Sequence, residues 1–255
     1  MATTYNIKVV VSGKQVEVYK YKKNVWRDFE KKQFDNKPHK EPKQLNILEK
    51  IELKKQKQQY SVNRTRTEIR RLINSNTQLN KFMTLTFADN ITDLKQANYI
   101  FNQFIKRITY KYPDFEYLAI PEFQERGAVH YHILCKMPFI HFSEIYKIWG
   151  QGNIDIKVIN NVTNIGAYVC KYLSKDMFDD RTFGKKKFFR SQSLSQPIEL
   201  IGYWAIMFIQ KFLSLLKPVF EKTFESEWMV EVEYKAYSLD YTPFKQKVFE
   251  KDIFF

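Results

Sequence analysis

EYLAIPEFQERGAVHYHILCKM, residues 116–137, decides how this chain is read. It holds two strand-like apolar runs, 116–124 and 129–137, and Glu125-Arg126-Gly127 between them leaves room for nothing but a tight turn. Two such runs joined so closely make an antiparallel pair. Side chains two apart on a strand face the same way, so His130 and His132 share one surface while Val129, Tyr131 and Ile133 take the other. Their Cα atoms lie ~7 Å apart, close enough for both imidazoles to reach one cation. Counting back through the turn sets Glu122 on the neighbouring strand. Two nitrogens and a carboxylate with positions left open suit a divalent ion such as Mn2+ or Mg2+. Glu125, in the turn, is a weaker candidate ligand, and His141, beyond Pro138, falls in a loop.

Working outward, KFMTLTF (81–87) alternates Phe82, Thr84 and Thr86 against Met83, Leu85 and Phe87, as a strand with unlike faces does. A helix follows from an N-cap at Thr92 to Lys111, with Ala97, Ile100, Phe101, Phe104, Ile105 and Ile108 on one side and Pro113 closing it. Beyond the histidine strand come a short helix at 143–149, a strand at 154–159 and a helix at 163–176. The order β-α-β-β-α-β-α predicts an α+β fold, an antiparallel sheet with helices packed on it. Upstream, residues 5–23 alternate in period two about Ser12-Gly13-Lys14 and read as a hairpin, and 27–63 read as a polar linker with some helix. From Arg64 a helix sets Ile69, Leu72 and Ile73 on one face and Arg66, Arg70 and Arg71 mostly on the other. The apolar run 200–216 is interrupted by Gln210 and Lys211 and is shorter than the ~20 residues of a membrane span, so a buried helix is expected.

The chain has 255 residues, 44% of them hydrophobic, enough to bury a substantial core. Its formal net charge of +14 calls for a polyanionic partner, nucleic acid or an acidic membrane surface. Residues 1–81 hold about half of the basic side chains and under a third of the acidic ones, so the basic arm is separable from the histidine strand. Cys135 and Cys170 sit in apolar segments and suggest neither disulfides nor a thiolate zinc site; with an N-terminus unlike a signal peptide, a reducing, cytoplasmic setting is expected. None of the seven glycines belongs to a G-x-x-x-x-G-K loop, so no nucleotide-driven motor is visible.

NIGAYVCKYLSKD (164–176) repeats Tyr-x-x-Lys, pairing Tyr168 with Lys171 and Tyr172 with Lys175. On a helix the tyrosines, four apart, share a face, and a phenol with a free pKa of about 10 needs nearby positive charge to become a nucleophile. Taken alone, these residues read as a buried helix face. KFMTLTF, then Glu-x7-His-Tyr-His, then YVCKYLSKD, in that order, closely resembles the three motifs of the HUH endonucleases that initiate rolling-circle replication of small plasmids and single-stranded DNA phages. The resemblance covers about residues 64–195. It implies a ferredoxin-like (RRM-like) sheet with the histidines on the central strand, a divalent ion on His130, His132 and an acidic third ligand matching Glu122, and a tyrosine that attacks a DNA phosphate. Tyr168 and Tyr172 match the paired tyrosines of the phage-type members. Tyr172, followed by Lys175 and Asp176, also fits the single-tyrosine pattern, and the choice of first nucleophile stays open.

The resulting division is a basic hairpin and linker (1–63), an endonuclease domain (64–195) and a C-terminal extension (196–255) that could cap the sheet or mediate oligomers. Arg64, Arg66, Arg70, Arg71, Lys185, Lys186, Lys187 and Arg190 are the expected phosphate contacts. The implied partners are single-stranded or hairpin origin DNA, a host helicase and a polymerase, with no membrane. A transposase or relaxase would use the same chemistry, and a non-enzymatic RRM-like binder would use the sheet without it.

Overall fold

The computed structural model describes residues 3–27, 46–159, 165–173, 181, 184–226 and 230–239. They fall into two units, residues 45–196 and a second one built from residues 1–44 with 197–255.

In the first unit the strands are β3 (Lys81–Thr86), β4 (Glu116–Phe123), β5 (Val129–Lys136), β6 (Ile154–Val158) and β7 (Phe189–Arg190). They form one antiparallel sheet in the order β6-β3-β5-β4-β7. Its helices are α1 (Ile47–Ser75), α2 (Leu94–Lys111), α3 (Phe142–Trp149) and α4 (Ile165–Leu173). The chain is thus α+β, compatible with the ferredoxin-like plan, and β5 is central.

Period-two alternation divides the apolar residues of this sheet between two cores. Met83, Leu85, Tyr131, Ile133 and Tyr117 pack under Phe101, Phe104 and Ile108 of α2 and Ile145 and Trp149 of α3. Phe101 stacks on Tyr131 at 4.3 Å, and each fully buried side chain of this size contributes roughly 1.5–3 kcal/mol. On the opposite face Leu118, Ile120 and Leu134 meet Val62, Ile69, Leu72 and Ile73 of α1 and Val169 and Cys170 of α4. α1 and α4 therefore cover the face that carries the even-numbered residues of β5.

Some boundaries differ from the sequence reading. The N-cap of α2 is Asp93, whose carboxylate accepts from the Lys95 and Gln96 amides, because a carboxylate caps the positive helix end better than the Thr92 hydroxyl. α1 begins well before Arg64, at a capping box between Asn46 and Glu49, and its first four turns are mostly exposed, the apolar Ile47, Leu48, Ile51 and Leu53 included.

The second unit contains β1 (Thr3–Ser12), β2 (Gln15–Arg27), β8 (Ile198–Ile201), α5 (Tyr203–Phe208) with a π turn at Ile209–Leu213, β9 (Phe220–Ser226) and β10 (Val230–Ser238). Its sheet runs β8-β1-β2-β10-β9. The hairpin expected about Gly13 is present, with Gly13 at φ +56°. The C-terminal strands, set apart in the sequence as a separate extension, pair with that hairpin, β8 beside β1 and β10 beside β2. Val9, Val11, Val16 and Val18 pack there on Ala205, Phe208 and Leu213. The helix is shorter than the 200–216 run and only half sunk: Tyr203, Trp204, Ile206 and Met207 are exposed, since a single sheet face can cover just one side of it. No described helix is long and apolar enough to cross a membrane.

Candidate active site

Strand register turns the even-numbered face of the first sheet into rows of side chains. Phe82, Leu134 and Leu118 stand abreast on β3, β5 and β4 and belong to the core beneath α1 and α4. The next row is Thr84, His132 and Ile120, and the last is Thr86, His130 and Glu122. The face thus passes from oil to polar groups within two residues of each strand, and the histidines lie at that border. The expected pairing of Glu122 with the histidine strand is present, directly opposite His130.

His132 is held from both sides. Its Nε2 is bonded to Glu122 Oε2, its Nδ1 lies 3.2 Å from Thr84 Oγ1, and its ring stacks on Phe82 at 5.5 Å. A carboxylate only accepts, so Nε2–H donates to Glu122, and an unprotonated Nδ1 is placed to accept from the Thr84 hydroxyl. His130 is 8% exposed, and its Nε2 is buried without a hydrogen-bond partner among the described residues. Burial first, then the nearby His132 and Arg126, hold its pKa below the ordinary imidazole value, against the pull of Glu122. A neutral imidazole with an unused nitrogen beside a His–carboxylate pair is a donor set that fits a divalent cation. As placed, the groups are not closed round a point: no three His, Cys, Asp or Glu side chains among the described residues are gathered as a ready cage. The Glu122–His132 bond occupies donors that a cation would compete for.

α4 reaches this face through Val169 and Cys170, which belong to the same buried core as Ile120, the register mate of His132. α4 is tied to α1 at two points, the Gly166 amide in its first turn donating to Asn74 Oδ1 at 3.0 Å and the Cys170 thiol, one turn on, donating to Arg66 O at 3.5 Å. The backbone of positions 168, 171 and 172 therefore lies on the histidine face. The side chains of Tyr168, Lys171 and Tyr172, and the whole of Lys175 and Asp176, lie outside the described residues.

The basic candidates are scattered. Arg64 is exposed; Arg66, Arg70 and Arg71 are half-buried rather than fully outward, since α4 crosses α1 beside Arg66 and Arg70. Lys185 and Lys186 are exposed, with Lys186 over the Phe189 ring, and Lys187 is half-buried. Arg190 lies opposite Leu118 on β7 and so shares the histidine face at its edge. Glu125 is exposed in the turn, and His141 is the N-cap residue of α3, bonded to Ser143. Sequence reasoning missed Thr84 as a histidine partner, Asn74 as the tether of α4, and Arg126. The alternation of KFMTLTF already put Thr84 on the right face; Asn74 left no local signal, because its partner is 92 residues away.

Residues 80–177 match a family model for replication-associated proteins, the open-reading-frame-2 and gene-2-protein type. The matched span runs from the start of β3 through α4, and so contains both histidines, Glu122 and both tyrosines. It supports a replication-associated, initiator-type role for this part of the chain. No curated protein and no solved structure matches the chain.

Proposed function

We propose that the chain is a replication initiator that nicks single-stranded origin DNA through a tyrosine of α4 and rejoins it later. One observation carries the reading: the His130/His132/Glu122 face of the sheet is the face on which α4 packs. Donors suited to a cation and a helix bearing two phenols are thereby brought to the same side, inside the segment that matches replication-associated proteins.

In the proposed reaction a phenol oxygen of Tyr168 or Tyr172 attacks the scissile phosphorus in line. The Oη–P bond forms as the P–O3′ bond breaks. The phenol proton passes to solvent, and the departing 3′ oxygen takes up a proton to become a free hydroxyl. The product is a 5′-phosphotyrosine and a 3′-OH able to prime a polymerase. Reversal by a second 3′-OH rejoins the strand with no outside energy source, because one phosphodiester is exchanged for another. His130, His132 and Glu122 would hold a divalent cation, Mn2+ or Mg2+, which when bound would supply Lewis-acid polarisation of the phosphate. Thr84 and Glu122 set the orientation of the His132 ring. Lys171 and Lys175, each three positions after a tyrosine in the sequence, would favour the phenolate. With no motor motif in the sequence, strand opening falls to a partner helicase or to supercoiling.

The test is incubation with end-labelled single-stranded oligonucleotides and Mn2+, with EDTA as control, followed by denaturing gels. A DNA strand linked to protein through its 5′ phosphate, formed only with the metal, is expected. Binding with no cleavage under any divalent ion would instead favour the non-enzymatic, sheet-based binder.

A further inference from the structure

The turn after β4 carries a cation, Arg126, that stands apart from the ligands and tyrosines of the proposed reaction. Gly127 N–H donates to Gln124 O at 2.8 Å and Gln124 N–H to Ala128 O at 2.9 Å, so the turn is closed by its own backbone. Arg126 is exposed within it, yet its head group is anchored. Nε–H donates to Gln124 Oε1 at 2.9 Å, and Nη2–H reaches Phe87 O at 3.5 Å. Gln124 continues β4 just past its end and Phe87 continues β3, and β5 runs between those two strands. The guanidinium therefore spans the end of β5 next to the row Thr86–His130–Glu122. Both of its acceptors are neutral amides. Among the described residues no carboxylate pairs with it, and its Nη1 edge carries no partner. A guanidinium fixed on one edge, open on the other and left unneutralised beside a cation-type donor set is arranged to meet an anion.

We propose that Arg126 is a substrate-contacting residue: its outer edge grips a non-bridging oxygen of a phosphodiester flanking the one cleaved and so fixes the register of the strand at the histidine row. The inference rests on the nicking function proposed above. It adds a site for one particular phosphate, supplied by the turn between β4 and β5.

The experiment walks a single neutral methylphosphonate along a single-stranded oligonucleotide. Affinity in EDTA and single-turnover adduct formation in Mn2+ are measured for the wild type, Arg126→Ala and Arg126→Lys. On the unmodified strand, Arg126→Ala is expected to lose about ten- to a hundredfold in affinity, the size of one charge-assisted hydrogen bond. Arg126→Lys should recover part of that. At one position the methylphosphonate should weaken the wild type by a similar factor and the alanine variant hardly at all, because the group that senses that charge is gone. An alanine variant that binds like the wild type would overturn the proposal. So would a defect that adds to the methylphosphonate loss at every position, which is the mark of a merely structural turn residue. If Arg126→Ala does not fold, the lysine variant carries the same comparison through its smaller, position-specific loss. The EDTA arm needs no cleavage, so a wild type that shows the position-specific pattern but never forms an adduct refutes the nicking function and leaves the phosphate contact standing.

Discussion

Replacing Gly166 by alanine tests whether α4 is held on the histidine face by close backbone packing. A Cβ at Gly166 would stand 2.5 Å from Arg70 O and 2.7 Å from Asn74 Oδ1, distances at which something must move. Arg70 O is helix backbone and Asn74 is 8% exposed, so neither yields cheaply, and α4 must lift. Lifting strains or breaks the Gly166–Asn74 hydrogen bond. Overpacking costs about 1–3 kcal/mol. Loss of a buried hydrogen bond costs about 0.5–1.5 kcal/mol. Against this, alanine gains up to ~1 kcal/mol in helix propensity. The net expectation is a loss of about 1–3 kcal/mol confined to α4, which raises its opening equilibrium roughly five- to a hundredfold. Native-state hydrogen exchange followed by mass spectrometry reads this directly in peptides covering 165–173, with Ala167→Gly as the companion. Ala167 is exposed, so its variant forfeits propensity without disturbing the contact. Gly166→Ala should lose more α4 protection than Ala167→Gly, while α2 and α3 stay as they were, and adduct formation should fall with the docked fraction. Protection in Gly166→Ala equal to or above the wild type would refute the packing argument, since propensity alone predicts that result.

His130→Ala and His132→Ala should each abolish nicking and weaken Mn2+ binding at least tenfold by electron paramagnetic resonance, with salt-sensitive DNA binding retained; full cleavage in both would remove the metal assignment. Tyr168→Phe and Tyr172→Phe together should eliminate the covalent adduct, and each alone should show by trapping which phenol acts first. Burial pushes the Cys135 thiol up to about 12 and the Cys170 thiol up to about 11, from 9.0. The folded state thus favours the neutral thiols: their contribution to stability is whole below pH 9 and is lost as pH rises through 11 to 12. Urea midpoints should drop over that window, and neither cysteine should react with a thiol reagent at pH 8 until the chain unfolds; rapid native labelling would contradict the burial.

What the sequence disclosed follows the range of the forces involved. The 116–137 hairpin was legible as a strand pair with Glu122 on the strand beside the histidines, since a three-residue turn keeps the two runs adjacent; that Glu122 stands directly opposite His130 came from the structure. Alternation in KFMTLTF and the apolar stripe of α2 were legible for the same reason: a local period reports a buried face. α1 before Arg64 was not, because that stretch buries nothing before Val62: its apolar residues Ile47, Leu48, Ile51 and Leu53 are exposed and give way to a Lys- and Gln-rich run that carries no apolar period on to the buried turns. Nor was the pairing of β8 and β10 with the first hairpin, whose partners lie some two hundred residues apart and are chosen by a shared valine core. At the site, residue types that name their own chemistry stood out, whereas Thr84, Asn74 and Arg126 acquire their roles only from what the fold sets beside them.

The central claim is that the histidine row and α4 work on one phosphate. Its most direct test is to trap the adduct on a single-stranded oligonucleotide with Mn2+, digest the protein, and sequence the nucleotide-bearing peptide by mass spectrometry. A 5′-phosphate on Tyr168 or Tyr172 is the expected result. A nucleotide carried by any residue outside α4, or an adduct that forms equally well without a divalent ion, would contradict it.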